Sequence, residues 1–80
     1  MRFKRKRMTS HIFTLSNDNE FIALDKLLKL MRLVNSGGEA HAMITDGMVL
    51  VNGEVAVQKR KKMRAGDHTE FNGQRVEVKA

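Results

Sequence analysis

The chain has no cysteine, proline, tryptophan or tyrosine. Without thiols there is no disulfide, no Cys-ligated zinc and no thiol nucleophile. At 80 residues it is of a size that often leans on such staples, so its stability has to come from packing alone. It makes one domain at most, with a thin core and little room for a catalytic cleft besides. The four aromatic residues are all Phe, which argues against a stacking platform for single-stranded bases. No apolar run approaches the roughly 20 residues that span a bilayer. The basic start is not followed by an apolar stretch, since His11, Thr14, Ser16, Asn17 and Asp18 interrupt it. That rules out a typical secretory signal and makes the cytoplasm the expected location.

What is present in excess is positive charge. Fifteen Lys and Arg against nine Asp and Glu give a formal charge of +6. The charge is gathered rather than spread: Arg2, Lys4, Arg5, Lys6 and Arg7 form one run, and Lys59, Arg60, Lys61, Lys62 and Arg64 another. The other bases are outnumbered by the acids. Two clusters of one sign point to a surface that meets a polyanion, whereas a merely solvated face mixes both signs.

Along the chain, residues 1–10 read as a flexible basic arm and 11–80 as the folded domain. Met1 to Arg7 is equally readable as an extension ahead of a start at Met8. His11 to Leu15 is a short strand-like run. Leu24, Leu27, Leu28 and Met31 fall at i, i+3, i+4 and i+7, which predicts an amphipathic helix over about 22–33. Ser36 reads as an N-cap, with Glu39 three residues on to complete a capping box. A second helix over about 37–46 then turns Ala40, Met43 and Ile44 inward and ends with Gly47 as its C′ residue. A linker of about two residues is expected between the helices, which makes a tight corner.

Beyond Gly47 the pattern is that of strands. Val49 to Val51 and Val55 to Val57 flank Asn52-Gly53, a hairpin signal. A two-residue loop would split the valines between faces, so a bulged three-residue loop, gathering Val49, Val51, Val55 and Val57 on the core face, is expected. The second strand should then run on from Val55 to about Met63. At Asn72-Gly73 a two-residue turn pairs Thr69 with Val76 and Glu70 with Arg75, placing Thr69, Phe71, Val76 and Val78 inside.

These residues resemble a family. Leu24-Asp25-Lys26-Leu27-Leu28-Lys29-Leu30, Ser36-Gly37-Gly38-Glu39-Ala40, Asp46-Gly47, Val49 to Glu54 and Ala65-Gly66-Asp67 stand in the order and spacing of the alpha-L RNA-binding domain, the type found in ribosomal small-subunit protein S-four. The Ser-Gly-Gly sequence and the Lys-Arg-Lys-Lys run look like its short stand-alone bacterial branch, ribosome-associated or of unknown role. The resemblance implies an α+β fold, a two-helix corner packed on a small, mostly antiparallel sheet. It also implies structured RNA, ribosomal RNA foremost, held across the corner and the basic strand. Two positions depart from the pattern: Ala23 stands where the broader family often has a base, and His41 where the short branch often has Lys.

Each part of that surface has a physical reading. Gly37 and Gly38, with Ser36, open the second helix, where unpaired N–H groups and the helix dipole favour a phosphate; alternatively the glycines only let the helices turn tightly. Arg60, Lys62 and Arg64 share one parity with solvent and would stand about 6.6 Å apart along a strand, a reasonable match to successive phosphates. Lys59 and Lys61 would lie on the other side, near the sheet edge, and a charged edge strand could instead serve to block aggregation. Lys26 and Lys29 add a contact line on the first helix, and His41 is a base contact, a phosphate contact or plain surface. The carboxylates are scattered among turns and caps with no paired-carboxylate logic, and the histidines lack metal-ligand spacing. No enzyme, cofactor or metal is therefore expected, and the chain should act as a monomer. A protein adaptor on the ribosome and a DNA-binding module are the competing readings.

Overall fold

A computed structural model describes residues 9–16 and 18–80. The basic run Met1 to Arg7 lies outside them. The strand β1 (Thr9–Thr14) takes in Thr9 and Ser10, which the sequence reading put in the arm. There follow β2 (Phe21–Ala23), α1 (Leu24–Leu30), α2 (Gly37–Thr45), β3 (Val49–Val51), β4 (Glu54–Val55), β5 (Lys62–Arg64), β6 (His68–Phe71) and β7 (Gln74–Lys79). Five strands form one sheet in the order β1-β7-β6-β3-β4, and β2 pairs with β5 in a separate ribbon. All pairs are antiparallel except β1 with β7. The expected architecture, a helical corner on a small and mostly antiparallel sheet, is the one observed.

The core is built by the residues the periodicity selected. Leu24, Leu27 and Leu28 of α1, Ala40 and Ile44 of α2, and Val49, Met63, Thr69, Val76 and Val78 of the strands have essentially no exposed surface. Thr69 is the one buried polar side chain among the described residues, and its hydroxyl donates to the Leu50 carbonyl at 2.7 Å. The second Asn-Gly hairpin has the predicted register, Thr69 opposite Val76 and Glu70 opposite Arg75.

The first helix is shorter than expected at both ends. Residues 21–23 are strand because they pair with 62–64. At the other end Arg32 takes a left-handed φ of 59°, and the Leu33 N–H reaches the Leu28 carbonyl while the Arg32 N–H reaches that of Lys29. This is a Schellman termination with Arg where Gly is usual, so the sequence carries no visible stop. Six residues, 31–36, consequently separate the helices instead of two. The second helix ends as predicted, with Gly47 left-handed and the Met48 N–H on the Met43 carbonyl. Its N-cap is Ser36, whose Oγ accepts from the Glu39 N–H at 3.1 Å. The returning Glu39 carboxylate takes the N–H of Asn35, not that of Ser36.

The bulged register of the first hairpin is overturned. Leu50 pairs with Val55 and Val51 with Glu54, a two-residue loop, with Asn52 and Gly53 both at positive φ (51° and 86°). Val55 is 53% exposed and Val57 86%, while Ala56 is buried and bonds to the Val49 carbonyl. Asn-Gly is the sequence that a type I′ turn demands, and the twist of that turn matches the strands it joins. The two outward valines sit on or just past an edge strand of only two residues. The continuous strand from Val55 to Met63 is overturned with it. The chain leaves the main sheet after Ala56, turns at Lys59-Arg60, and enters the second ribbon as β5.

Candidate nucleic-acid interface

The basic segment 59–64 is fixed to the start of α1 through its backbone. A helix leaves its first N–H groups unpaired, and α1 has no side-chain cap. The carbonyl of Lys61 accepts from the Leu24 N–H at 2.8 Å and that of Lys59 from the Asp25 N–H at 3.2 Å. The turn at Lys59-Arg60 and the entry to β5 are thereby anchored. Beyond the anchor, β5 lies against β2 with Met63 opposite the buried Ile22. Lys62 and Arg64 are exposed on the outer face, as their parity with Met63 predicted. Arg60 is also exposed but belongs to the turn, so the expected row of three bases along one strand is instead two bases on a strand and one beside it. Lys59 is exposed and Lys61 half-buried.

Asp25 joins this segment to the second helix. One carboxylate oxygen accepts from His41 Nε2 at 2.8 Å and lies 3.9 Å from Arg60 Nε, while the other accepts the Lys26 N–H. Burial pushes the Asp25 carboxyl up, but the His41 hydrogen bond, the Lys26 N–H and the charges of His41 and Arg60 outweigh it and hold it below the ordinary 3.8. The Arg60 contact is long and exposed, so it orients more than it stabilises. His41 and Gly37 are four residues apart on α2 and share a face, which brings the opening turn of that helix to the same side as the basic segment. A Cβ at Gly37 would meet no atom within 4 Å, and at Gly38 only Ser36 Oγ at 3.8 Å. Neither has a left-handed φ, so the space above this turn is open and close packing does not require the glycines. Lys26 and Lys29 are both exposed on α1, Lys26 beside the Asp25 junction and Lys29 in the last turn.

Two residues of this surface were not singled out by sequence reasoning. Asp25 looked like one scattered carboxylate, although an acid in the first turn of a helix is itself a positional signal. Phe21 was absorbed into the approach to a helix; Phe21-Ile22-Ala23 is a continuous apolar run, which does not by itself distinguish a short strand from a helix start.

A second carboxylate holds the far end of the basic ribbon. Asp67 accepts from the Arg64 N–H at 2.8 Å and from the Asn52 amide at 3.1 Å. The Arg64 N–H foremost, against burial, and then Asn52 and the charges of Lys61 and Arg64 hold its carboxyl below 3.8. For both acids the folded-state value is depressed. Their contribution to stability is therefore complete above the unfolded value near 3.8 and is lost as pH falls through the lower folded values. Melting temperature should decline below about pH 4, and an Asp25→Asn, Asp67→Asn double variant should show a shallower decline there. Parallel pH profiles for the two proteins would refute this.

Among the described residues no three potential ligands come together as a metal site, and no helix is long and apolar enough to cross a membrane.

With this geometry in view, the family can be stated. Residues 14–79 match the family described as the S4 domain, and the chain belongs to it. The resemblance to the alpha-L type seen in the sequence is thus borne out. The chain is 37% identical over 59 residues to the Bacillus subtilis protein named "Probable ribosome maturation protein RlbA", covering 74% of this chain and 83% of that protein. It is 41% identical over 59 residues to the Escherichia coli protein named "Putative RNA-binding protein YbcJ", covering 74% and 84%. The solution structure of E. coli YbcJ, described as having an alfaL motif involved in RNA-binding, superposes with a TM-score of 0.65 at 35% identity. That superposition covers 100% of this chain and 98% of the other.

Proposed function

We propose that this protein binds structured RNA, with ribosomal RNA as the partner, and that it binds without catalysing a reaction. The observation that carries the reading is the anchoring of Lys59 to Arg64 on the start of α1. A run of like charges repels itself and is normally left to solvent. Here the fold spends backbone hydrogen bonds, a buried Met63 and an Asp67 cap on holding that run in place. Fixed cations beside an open helix N-terminus suit a rigid array of phosphates. The names of the relatives, one for ribosome maturation and one for RNA binding, point the same way. On this reading Lys26, Lys29, Lys59, Arg60, Lys61, Lys62 and Arg64 meet phosphates, the backbone of Ser36, Gly37 and Gly38 donates to another, and His41 contacts the RNA at the corner. The protein acts as a cytoplasmic monomer.

The test is binding of a labelled, folded ribosomal RNA fragment in the presence of excess duplex DNA. The RNA complex should survive the competition. Its displacement by that duplex would favour the DNA-binding reading. Retention on ribosomes after neutralisation of the basic segment would instead identify a protein adaptor.

A further inference from the structure

Phe21 is 39% exposed. On the β2–β5 ribbon it lies opposite Arg64, and Ala23 lies opposite Lys62, while Ile22 and Met63 take the buried face. The ring and two cations therefore share the outer face: Lys62 Nζ is 5.1 Å from the ring centroid and Arg64 Cζ 6.0 Å. The ring also forms one wall of a groove of about 640 Å³, whose lining includes Leu15, Ala23, Lys26 and Leu30. That volume falls within the roughly 300–1,000 Å³ of clefts that hold small organic groups. Leu30 there is 54% exposed.

The charges around Phe21 divide into two kinds. Lys62 and Arg64 lie on its strand-pair side, whereas Asp18 and Glu20 line the groove together with one base, Lys26. Carboxylates repel a phosphate but accept hydrogen bonds from the amino groups of bases. A groove of mixed apolar and polar lining, with an aromatic wall, two acids and one lysine within and two bases beside it, matches a polyanion that carries flat heteroaromatic groups. An acidic protein segment would match the cations alone.

We infer that Phe21 is a base-stacking residue, which receives one unpaired base of a structured RNA in the groove beside α1 while Lys62 and Arg64 hold the adjoining phosphates. This rests on the RNA-binding reading and adds that the recognised feature is an unpaired nucleotide next to a helix, not a plain duplex. A single aromatic suffices for one base, although four Phe in the chain are too few for an extended platform.

Three RNAs test it: a hairpin with one unpaired adenosine in its stem, the same hairpin fully paired, and the bulged hairpin with an abasic site in place of the adenosine. The full chain should bind the first more tightly than either of the others by roughly fivefold or more, within the range of about 5- to 150-fold expected for one base–aromatic stack. Phe21→Leu should lose that preference and keep its affinity and salt dependence for the paired hairpin. Phe21→Tyr, which keeps the ring, should retain the preference. Equal binding of all three RNAs with a steep salt dependence overturns the stacking site and leaves RNA binding standing, as does a Phe21→Leu protein that still prefers the bulge. No measurable binding of any of them at low salt overturns the RNA reading, and the stacking site with it.

Discussion

Replacing Arg60, Lys62 and Arg64 together by Gln should weaken binding of structured RNA by on the order of 100-fold at physiological salt. It should also flatten the dependence of log affinity on log salt by about 2 to 3 units. Each phosphate that a cation neutralises releases condensed counterions, contributing roughly −0.7 to −0.9 to that slope. The three side chains are exposed, and what fixes the segment is backbone and Met63, not charge. The melting temperature should therefore change little, since surface substitutions of this kind stay within about 0.5 kcal/mol. Filter binding or fluorescence anisotropy across a salt series reads both quantities. An unchanged slope would reduce the basic ribbon to protection of an edge.

A contrasting pair of changes separates charge from the backbone donors of the second helix. Gly37→Ala and Gly38→Ala leave every formal charge in place, and the open space above both positions admits a methyl group. Ala in a helix is favoured over Gly by about 0.4–1 kcal/mol, so melting temperature should rise by a few degrees. If a phosphate approaches that turn, affinity should fall while the salt slope stays as it was. Stability and binding would then move in opposite directions. A rise in both would mean that the glycines serve neither packing nor RNA.

The parts of this molecule that the sequence made legible are those where a single residue type has one structural use. Ser36, Glu39 and Gly47 marked both ends of α2, and Asn72-Gly73 fixed a hairpin whose burial and charge pairings agreed. Asn52-Gly53 carried the same information. It was misread because four valines on one face seemed a larger gain than the turn they would have had to distort. The turn prevails because β4 is two residues long and the chain leaves the sheet after Ala56. The end of α1 was illegible for a different reason: its left-handed position is occupied by Arg32, for which no sequence signal exists.

The candidate interface was legible as composition and illegible as geometry. The basic cluster and its alternation about Met63 could be read directly, since Lys62 and Arg64 are exposed and Met63 is not. That the segment belongs to a second ribbon could not, because its partner strand, 21–23, is separated from it by both helices. Asp25 gathers His41 from 16 residues away and Arg60 from beyond the first hairpin in sequence. Such junctions depend on chain path, which local pattern does not reveal.

Met63→Ala should be strongly destabilising, and it tests whether the basic segment is held by the core. Met63 has no exposed surface and stands opposite the buried Ile22. Truncating a buried Met to Ala costs about 2–5 kcal/mol through lost burial and the cavity left behind. Small domains have about 5–15 kcal/mol in all. The melting temperature should fall on the order of 10 °C or more. Because β5 is tied through Met63 to β2, and through Lys59 and Lys61 to the start of α1, RNA affinity should fall as well, even at temperatures where the protein remains folded. No charge is altered, so the loss would come from cations no longer fixed in register. Met63→Leu, which nearly conserves volume, should restore both properties to within about 1.5 kcal/mol. Calorimetric melting and RNA titration of the two variants decide the matter. A Met63→Ala protein that melts lower yet binds RNA as tightly would show that the cations act as a diffuse cloud, for which their anchoring is irrelevant.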